Sequence, residues 1–240
     1  MLLGYKIYNK SLDNFEFNKK KTIINTLNPH SYCIAKADKE FDEALKSSDL
    51  LLPDGVGIKI AGRILNKIEM RKISGFDLHE FLLKKANIDS KRVFYLGSNK
   101  KTLKLISDRI SNDYVDIKCG FYSPPFKKIF SQSENRKILK KLNDFKPNLL
   151  FIGMTAPKQE KWAHKFKESI DAEIICSVGA VFNFFAGNVK RPSRFWVKLG
   201  LEWLARFVKE PRRLFKRNFV STPKFALEVL FIKLFGKGFM

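Results

Sequence analysis

RVFYLGSNKKTLKLISDRI, residues 92–110, reads as a strand, a turn and an amphipathic helix in direct succession. Arg92 to Leu96 is a short run of β-branched and aromatic residues without strict alternation, the pattern of a strand buried on both faces. Gly97-Ser98-Asn99 interrupts it, and Asn99 supplies a helix N-cap signal. Leu103, Ile106 and Ile110 then recur at helical spacing. A strand that feeds straight into a helix is half of a βαβ crossover, and its repetition along a chain dictates parallel pairing.

The same alternation extends in both directions. Further strands are predicted at Thr22 to Leu27, Asp49 to Leu52, Val115 to Cys119, Asn148 to Ile152 and Glu173 to Val178. Helical spacing separates them, carried by Phe41, Ala44 and Leu45, by Leu78, Phe81 and Leu82, by Ile138 and Leu142, and by Ala163, Phe166 and Ile170. The expected fold class is α/β, a mostly parallel sheet flanked by helices.

After Gly187 the strand signals stop. Trp196, Leu199, Trp203 and Phe207 recur at helical spacing, with Lys198, Glu202, Arg206 and Lys209 on a charged face. Thr222 as N-cap and Pro223 at the first helical position predict a last helix reaching Phe235. The chain therefore divides into a core over residues 1–190 and a basic, amphipathic helical appendage over 191–240. Because every predicted strand precedes the appendage, the core is expected to stay folded when residues 194–240 are removed.

The composition fits one folded core: 240 residues, 45% hydrophobic and 29% charged. The charge is lopsided, with 46 basic against 24 acidic residues and a formal net charge of +22. Lys190 to Met240 alone holds 13 basic and three acidic residues. Such an excess attracts polyanions: nucleic acid, anionic lipid headgroups or phosphorylated small molecules. Nucleic acid is disfavoured, since no RRM, KH or helix-turn-helix signature is present and the tail cations alternate with bulky aromatics. Cys33, Cys119 and Cys176 stand apart, with no C-x-x-C spacing, and read as buried reduced thiols of a cytoplasmic protein. The N-terminus reaches Lys6 too soon for a signal-peptide h-region, and no stretch approaches the ~20 apolar residues of a membrane span.

In an open α/β sheet, ligands bind beyond the carboxyl ends of the strands. Four such positions carry unusual chemistry. Thr26-Leu27-Asn28-Pro29 places a hydroxyl and an amide at a strand end, or simply makes an Asn-Pro turn. Pro53-Asp54-Gly55-Val56-Gly57 offers a carboxylate on a tight turn that can act as general base, with Gly55 and Gly57 letting a substrate near the backbone; a solvated Pro-Asp-Gly turn is the plainer reading. At Gly153 to Glu160, Pro157 and Glu160 suit a helix start, while Gln159 can read a base or sugar edge and Lys158 can pair with phosphate. In Val178 to Gly187, Asn183 is a polar residue between two Phe and needs a partner.

No metal site is expected, because His30, His79 and His164 form no ligand pattern and no D-x-D triplet is present. No cofactor is expected either, as Walker A and G-x-G-x-x-G sequences are missing.

Taken in order, Thr26-Leu27-Asn28, Leu52 to Gly57, Ala156 to Glu160, Gly179 to Gly187, Lys190-Arg191-Pro192, Gly200 to Leu204 and Glu210 to Leu214 resemble the WecG/TagA/CpsF glycosyltransferases. That resemblance implies a Rossmann-like core with a helical appendage on the cytoplasmic face of the bacterial membrane. It implies metal-free, inverting transfer of N-acetylmannosamine, its uronic acid or another hexose from a UDP-sugar to an undecaprenyl-diphosphate-linked acceptor. By likeness Asp54 matches the catalytic base and Thr26 a donor-pocket hydroxyl. Gln159 and Asn183 match contacts to the UDP-sugar. Arg206, Arg213 and one of Lys216 or Arg217 match appendage cations that close over the diphosphate, with Arg191 near phosphate or membrane. Asn183 departs from the family's usual Asp, offering a donor where Asp only accepts. A membrane-surface scaffold of the same fold without activity and a nucleic-acid binder are the alternatives; self-association is left open.

Overall fold

The structure is a computed structural model and describes residues 1–12, 15, 17, 21–189, 196 and 202–236. Six strands, β1 (Thr22–Leu27), β2 (Leu50–Pro53), β3 (Arg92–Gly97), β4 (Lys118–Tyr122), β5 (Leu149–Gly153) and β6 (Ile174–Ser177), form one sheet in the order β2-β1-β6-β5-β3-β4. Every pairing between them is parallel. The α/β expectation therefore holds, and the strands agree with the sequence reading to within a residue or two except at one place. β4 lies three residues later than predicted. Val115 is 75% exposed, whereas Cys119 to Tyr122 pair with Val93 to Leu96. Gly120 conceals this strand in the sequence, and it is Gly because a Cβ there would sit 2.6 Å from the Phe94 ring.

Alternate strand residues fill the two faces. Ile24, Val93, Tyr95, Leu149, Phe151 and Cys176 pack under α4 (Gly75–Ile88), α5 (Lys100–Asp113) and α8 (Val181–Phe185). Ile23, Phe94, Leu96, Leu150, Ile152 and Ile175 pack under α6 (Gln132–Phe145) and α7 (Lys158–Phe166). A third cluster, around Leu27 and Leu51, lies beneath α1 (Pro29–Ala35), α2 (Lys39–Lys46) and α3 (Val56–Asn66). The N-terminal segment covers the β2 edge: Ile7 bridges Leu51, and the Tyr8 N–H donates to the Leu51 carbonyl.

The tail comprises α9 (Glu202–Lys209), α10 (Pro211–Phe215), a π-helical turn (Lys216–Ser221) and α11 (Thr222–Phe235). Thr222 does not cap a fresh helix. The chain stays helical through the π turn, Ser221 is itself αR, and the Thr222 hydroxyl donates to the Arg217 carbonyl. Phe225 and Val229 of α11 enter the third core cluster and pack on α1 and α3. Of the predicted aromatic stripe, Phe207 stacks edge-on against Phe219, Trp203 is exposed, and Leu199 lies outside the described residues. All three cysteines are free; Cys176 is buried, while Cys33 and Cys119 are half-buried.

His79 sits in the first cluster, fully enclosed by Tyr95, Phe151 and Phe185, with Nε2 bonded to the Tyr95 hydroxyl. Burial, and secondarily Arg109, lowers its pKa to about 3. The unfolded chain protonates this histidine below its ordinary value near 6.5, whereas the folded chain refuses the proton until about 3. Stability should therefore fall as pH drops from 6.5 toward 3, by up to ~1.4 kcal/mol per pH unit. Glu160, whose buried carboxyl is raised to about 7, contributes the opposite slope over the same range, so urea midpoints between pH 7 and pH 5 read the histidine in a Glu160→Gln background. An unchanged midpoint over that range would contradict it.

Candidate active site

Helix starts cluster at the carboxyl edge of the sheet, and their caps fall into two kinds. Asn28, Ser74, Asn99 and Ser131 each accept backbone N–H bonds as N-caps of α1, α4, α5 and α6. By contrast α3, α7 and α8 begin at Gly55, Pro157 and Ala180, which make no side-chain cap hydrogen bond. These three starts follow β2, β5 and β6, three of the four strand ends picked out by the sequence motifs; the fourth, after β1, leads into the helix capped by Asn28. First-turn N–H groups without a cap side chain, together with the helix dipole, favour an anion.

Asp54 leads into α3. Leu27 pairs with Pro53, so β1 and β2 end side by side, and the Asp54 N–H donates to the Leu27 carbonyl at 2.8 Å. From the other side the Ile73 N–H donates to the Pro53 carbonyl at 3.0 Å. Two backbone bonds thus fix the turn while the carboxylate remains half-exposed. Gly55 has φ +89°, a conformation that excludes a side chain at little cost only for glycine. Gly57 serves packing: a Cβ there would lie 2.5 Å from the Pro29 ring. Thr26 is half-buried opposite Leu52 in the register. The Asn28 side-chain oxygen is taken by the His30 and Ser31 N–H groups, leaving its NH₂ to face other partners.

On the other side of the sheet centre, Gln159 is 5% exposed. Its Oε1 accepts from the Met154 N–H and its Nε2 donates to Glu160 Oε1 at 2.8 Å. The same amide lies under the β6–α8 turn, 3.6 Å from where a Gly179 Cβ would be. Gln159 therefore braces its own β5–α7 turn, lies against the β6–α8 turn and retains one N–H. Glu160, read from sequence as a dipole partner, is buried as well: enclosure raises its carboxyl to about 7, and Oε2 has no hydrogen-bond partner among the described residues. The Ala156–Pro157 peptide is cis. Lys158 turns away toward the β4–α6 loop, its Nζ over the Phe130 ring and bonded to the Lys127 carbonyl.

Asn183 lies half-buried on α8, and its side-chain amide makes no hydrogen bond among the described residues. Its neighbour Phe184 is flanked by the Phe76 ring and by the Arg206 guanidinium, 5.0 Å from the ring centroid. The tail cation Arg206 is thereby placed beside α8. Lys216 and Arg217 flank α1 instead: after burial, their charges lower the proton affinity of His30, whose Nδ1 meets the Ser221 hydroxyl at 2.8 Å. Arg213 is exposed and paired with Glu210. Arg191 lies outside the described residues. The His30–Ser221 contact has no signal in the sequence, because its partners are 191 positions apart. Ser74 and Asp77, a reciprocal capping box that sets the α4 start beneath Val178, were readable as S-x-x-D.

Comparison with known proteins bears on this arrangement. The N-acetylglucosaminyldiphosphoundecaprenol N-acetyl-beta-D-mannosaminyltransferase of Bacillus subtilis (strain 168) is 33% identical over 208 residues, 87% of this chain and 78% of the relative. Its namesake in Bacillus spizizenii is 31% identical over 211 residues, 88% of this chain and 79% of that protein. The protein of the same name in Staphylococcus aureus (strain MW2) is 26% identical over 191 residues, 80% and 73% of the two chains. The family model described as "Glycosyl transferase WecG/TagA/CpsF family" matches residues 3–238, and with that span covered the chain belongs to the WecG/TagA/CpsF family of glycosyltransferases.

Proposed function

We propose that this enzyme transfers N-acetylmannosamine from a UDP-sugar to N-acetylglucosaminyl-diphosphoundecaprenol at the cytoplasmic face of the bacterial membrane, with inversion and without a metal. The names of the relatives support the acceptor and the sugar. The observation that carries the chemistry is Asp54, pinned by backbone bonds at a strand end beside the uncapped start of α3.

In this reading the acceptor hydroxyl attacks the anomeric carbon as its proton passes to the Asp54 carboxylate. The bond from that carbon to the UDP oxygen breaks on the opposite side, and UDP leaves with the electron pair. Thr26, Asn28, Gly55 and Gly57 shape the pocket wall around Asp54. Gln159 and Asn183 take the donor through their remaining amide groups. The negative charge on UDP is offset by Arg206, Arg213 and one of Lys216 or Arg217, with Arg191 and Lys158 nearer the periphery.

A panel of UDP-sugars, offered with the lipid-linked GlcNAc acceptor in vesicles and with EDTA present, tests the reading by mass spectrometry. One added N-acetylhexosamine from UDP-N-acetylmannosamine is expected, at a rate EDTA does not change. Absence of product from every donor, with the protein folded, would overturn it. Inhibition that manganese reverses would remove only the metal-free part.

A further inference from the structure

An exposed aliphatic surface adjoins the Asp54 turn. On α3, Val56, Ile60 and Ile64 follow one another at four-residue spacing, and Ile60 is 50% exposed. Ile68, just past the helix, continues the line. On α11, Leu227, Leu230 and Leu234 form a second exposed stripe, with Leu234 at 66%. The two helices touch: the Phe225 ring of α11 lies 3.7 Å from where a Cβ on Gly57 of α3 would be. Isolated exposed apolar residues are ordinary, but exposed stripes on two helices in contact call for an occupant.

The charges beside the patch select that occupant. Residues 56–68 contain no Asp or Glu, and the only acid of α11, Glu228, is buried. Arg63 and Lys67 on the α3 side and Lys224 and Lys233 on the α11 side are all exposed. Lys59, also on this helix, pairs with the exposed Glu69 just past Ile68, and the stripes as a whole remain edged by a cationic excess. Such a surface matches an anionic lipid layer, where the side chains enter the acyl boundary and the cations meet headgroups. Spanning is not in question, since α11 is ~21 Å long against a ~30 Å hydrocarbon layer, and no helix among the described residues is long and apolar enough to cross.

We infer that α3 and α11 together form the membrane-docking face, so that the helix beginning at the catalytic turn itself lies on the bilayer. This rests on the proposed lipid-linked acceptor and goes further: docking is not confined to the basic tail, and the Asp54 edge is held at headgroup depth, where a polyprenyl diphosphate presents its sugar.

Flotation of the full chain with vesicles of phosphatidylglycerol and phosphatidylcholine tests it without reference to catalysis. The wild type is expected to float, and the paired substitution Ile60→Glu/Ile64→Glu to lower partitioning by about tenfold or more. Transfer to a short-chain, water-soluble acceptor diphosphate should stay at the wild-type rate. Should the Glu pair lose cooperative melting, Ile60→Ser/Ile64→Ser decides in its place. Vesicle binding that the α3 variants leave intact would overturn the inference. So would a wild-type dimer that these substitutions split while vesicle binding persists, since a second copy would then be the occupant. If α3 variants lose vesicles yet no donor supports transfer by the wild type, the docking face stands and the proposed reaction falls.

Discussion

Asp54→Asn is expected to lower kcat for sugar transfer by about 10²–10⁴-fold, the range for losing a positioned general base, with little change in donor KM. The substitution keeps the size and shape of the side chain and removes its capacity to take a proton. It also spares the structure of the turn, because the bond to the Leu27 carbonyl comes from the backbone N–H of residue 54. Gly55 at φ +89° supplies the conformational demand of the turn, whichever residue precedes it. An unchanged melting transition should therefore accompany the lost turnover. Thr26→Val removes a half-buried hydroxyl that holds no proton-accepting role, so its effect should fall mainly on donor KM. Near-normal turnover in Asp54→Asn would move the base to another group on this edge.

The two substitutions together separate chemistry from binding, which the sequence alone could not do. What it could do was set by how local each signal is. Continuous apolar runs mark buried parallel strands, and β1, β3 and β5 were readable from their own residues. β4 was misplaced because its pairing residues include Gly120, whose presence answers to Phe94 on another strand. The strand-end rule places Asp54 directly after β2 and Gln159 in the segment after β5, as in the structure, since position after a strand is a one-dimensional fact. Whether a side chain there is free is not. Lys158 turns to Phe130, the Asn28 oxygen closes its own capping box, and Glu160 is buried, all through contacts between segments. The tail was the least legible part. α11 is apolar around most of its circumference, so periodicity does not say which side faces inward. The answer lies in α1 and α3, far upstream in the sequence.

That answer changes what removal of the tail should do. Phe225 is 3% exposed, its ring edge-on to Tyr32 at 5.3 Å, and Val229 is 4% exposed in the same cluster. Between them Glu228, fully buried, accepts a long hydrogen bond from the Tyr32 hydroxyl. Truncating a buried Phe to Ala typically costs about 3–5 kcal/mol, a fifth or more of the roughly 5–15 kcal/mol that holds an ordinary domain together. Phe225→Ala should therefore shift the urea midpoint strongly while leaving one cooperative transition. Deleting residues 222–240 removes Phe225 and Val229 together and bares Tyr32, Ile58 and Ala61. The expectation from strand order alone, a folded core without its tail, is replaced by loss of cooperative unfolding. Activity should suffer even in the milder variant. Phe225 packs against the first turn of α3 and on Tyr32 of α1, and those helices carry Gly55 and Asn28 on either side of Asp54. A tail-deleted protein that still melts in one sharp transition would mean that α11 is an accessory lobe, and that the core positions Asp54 without it.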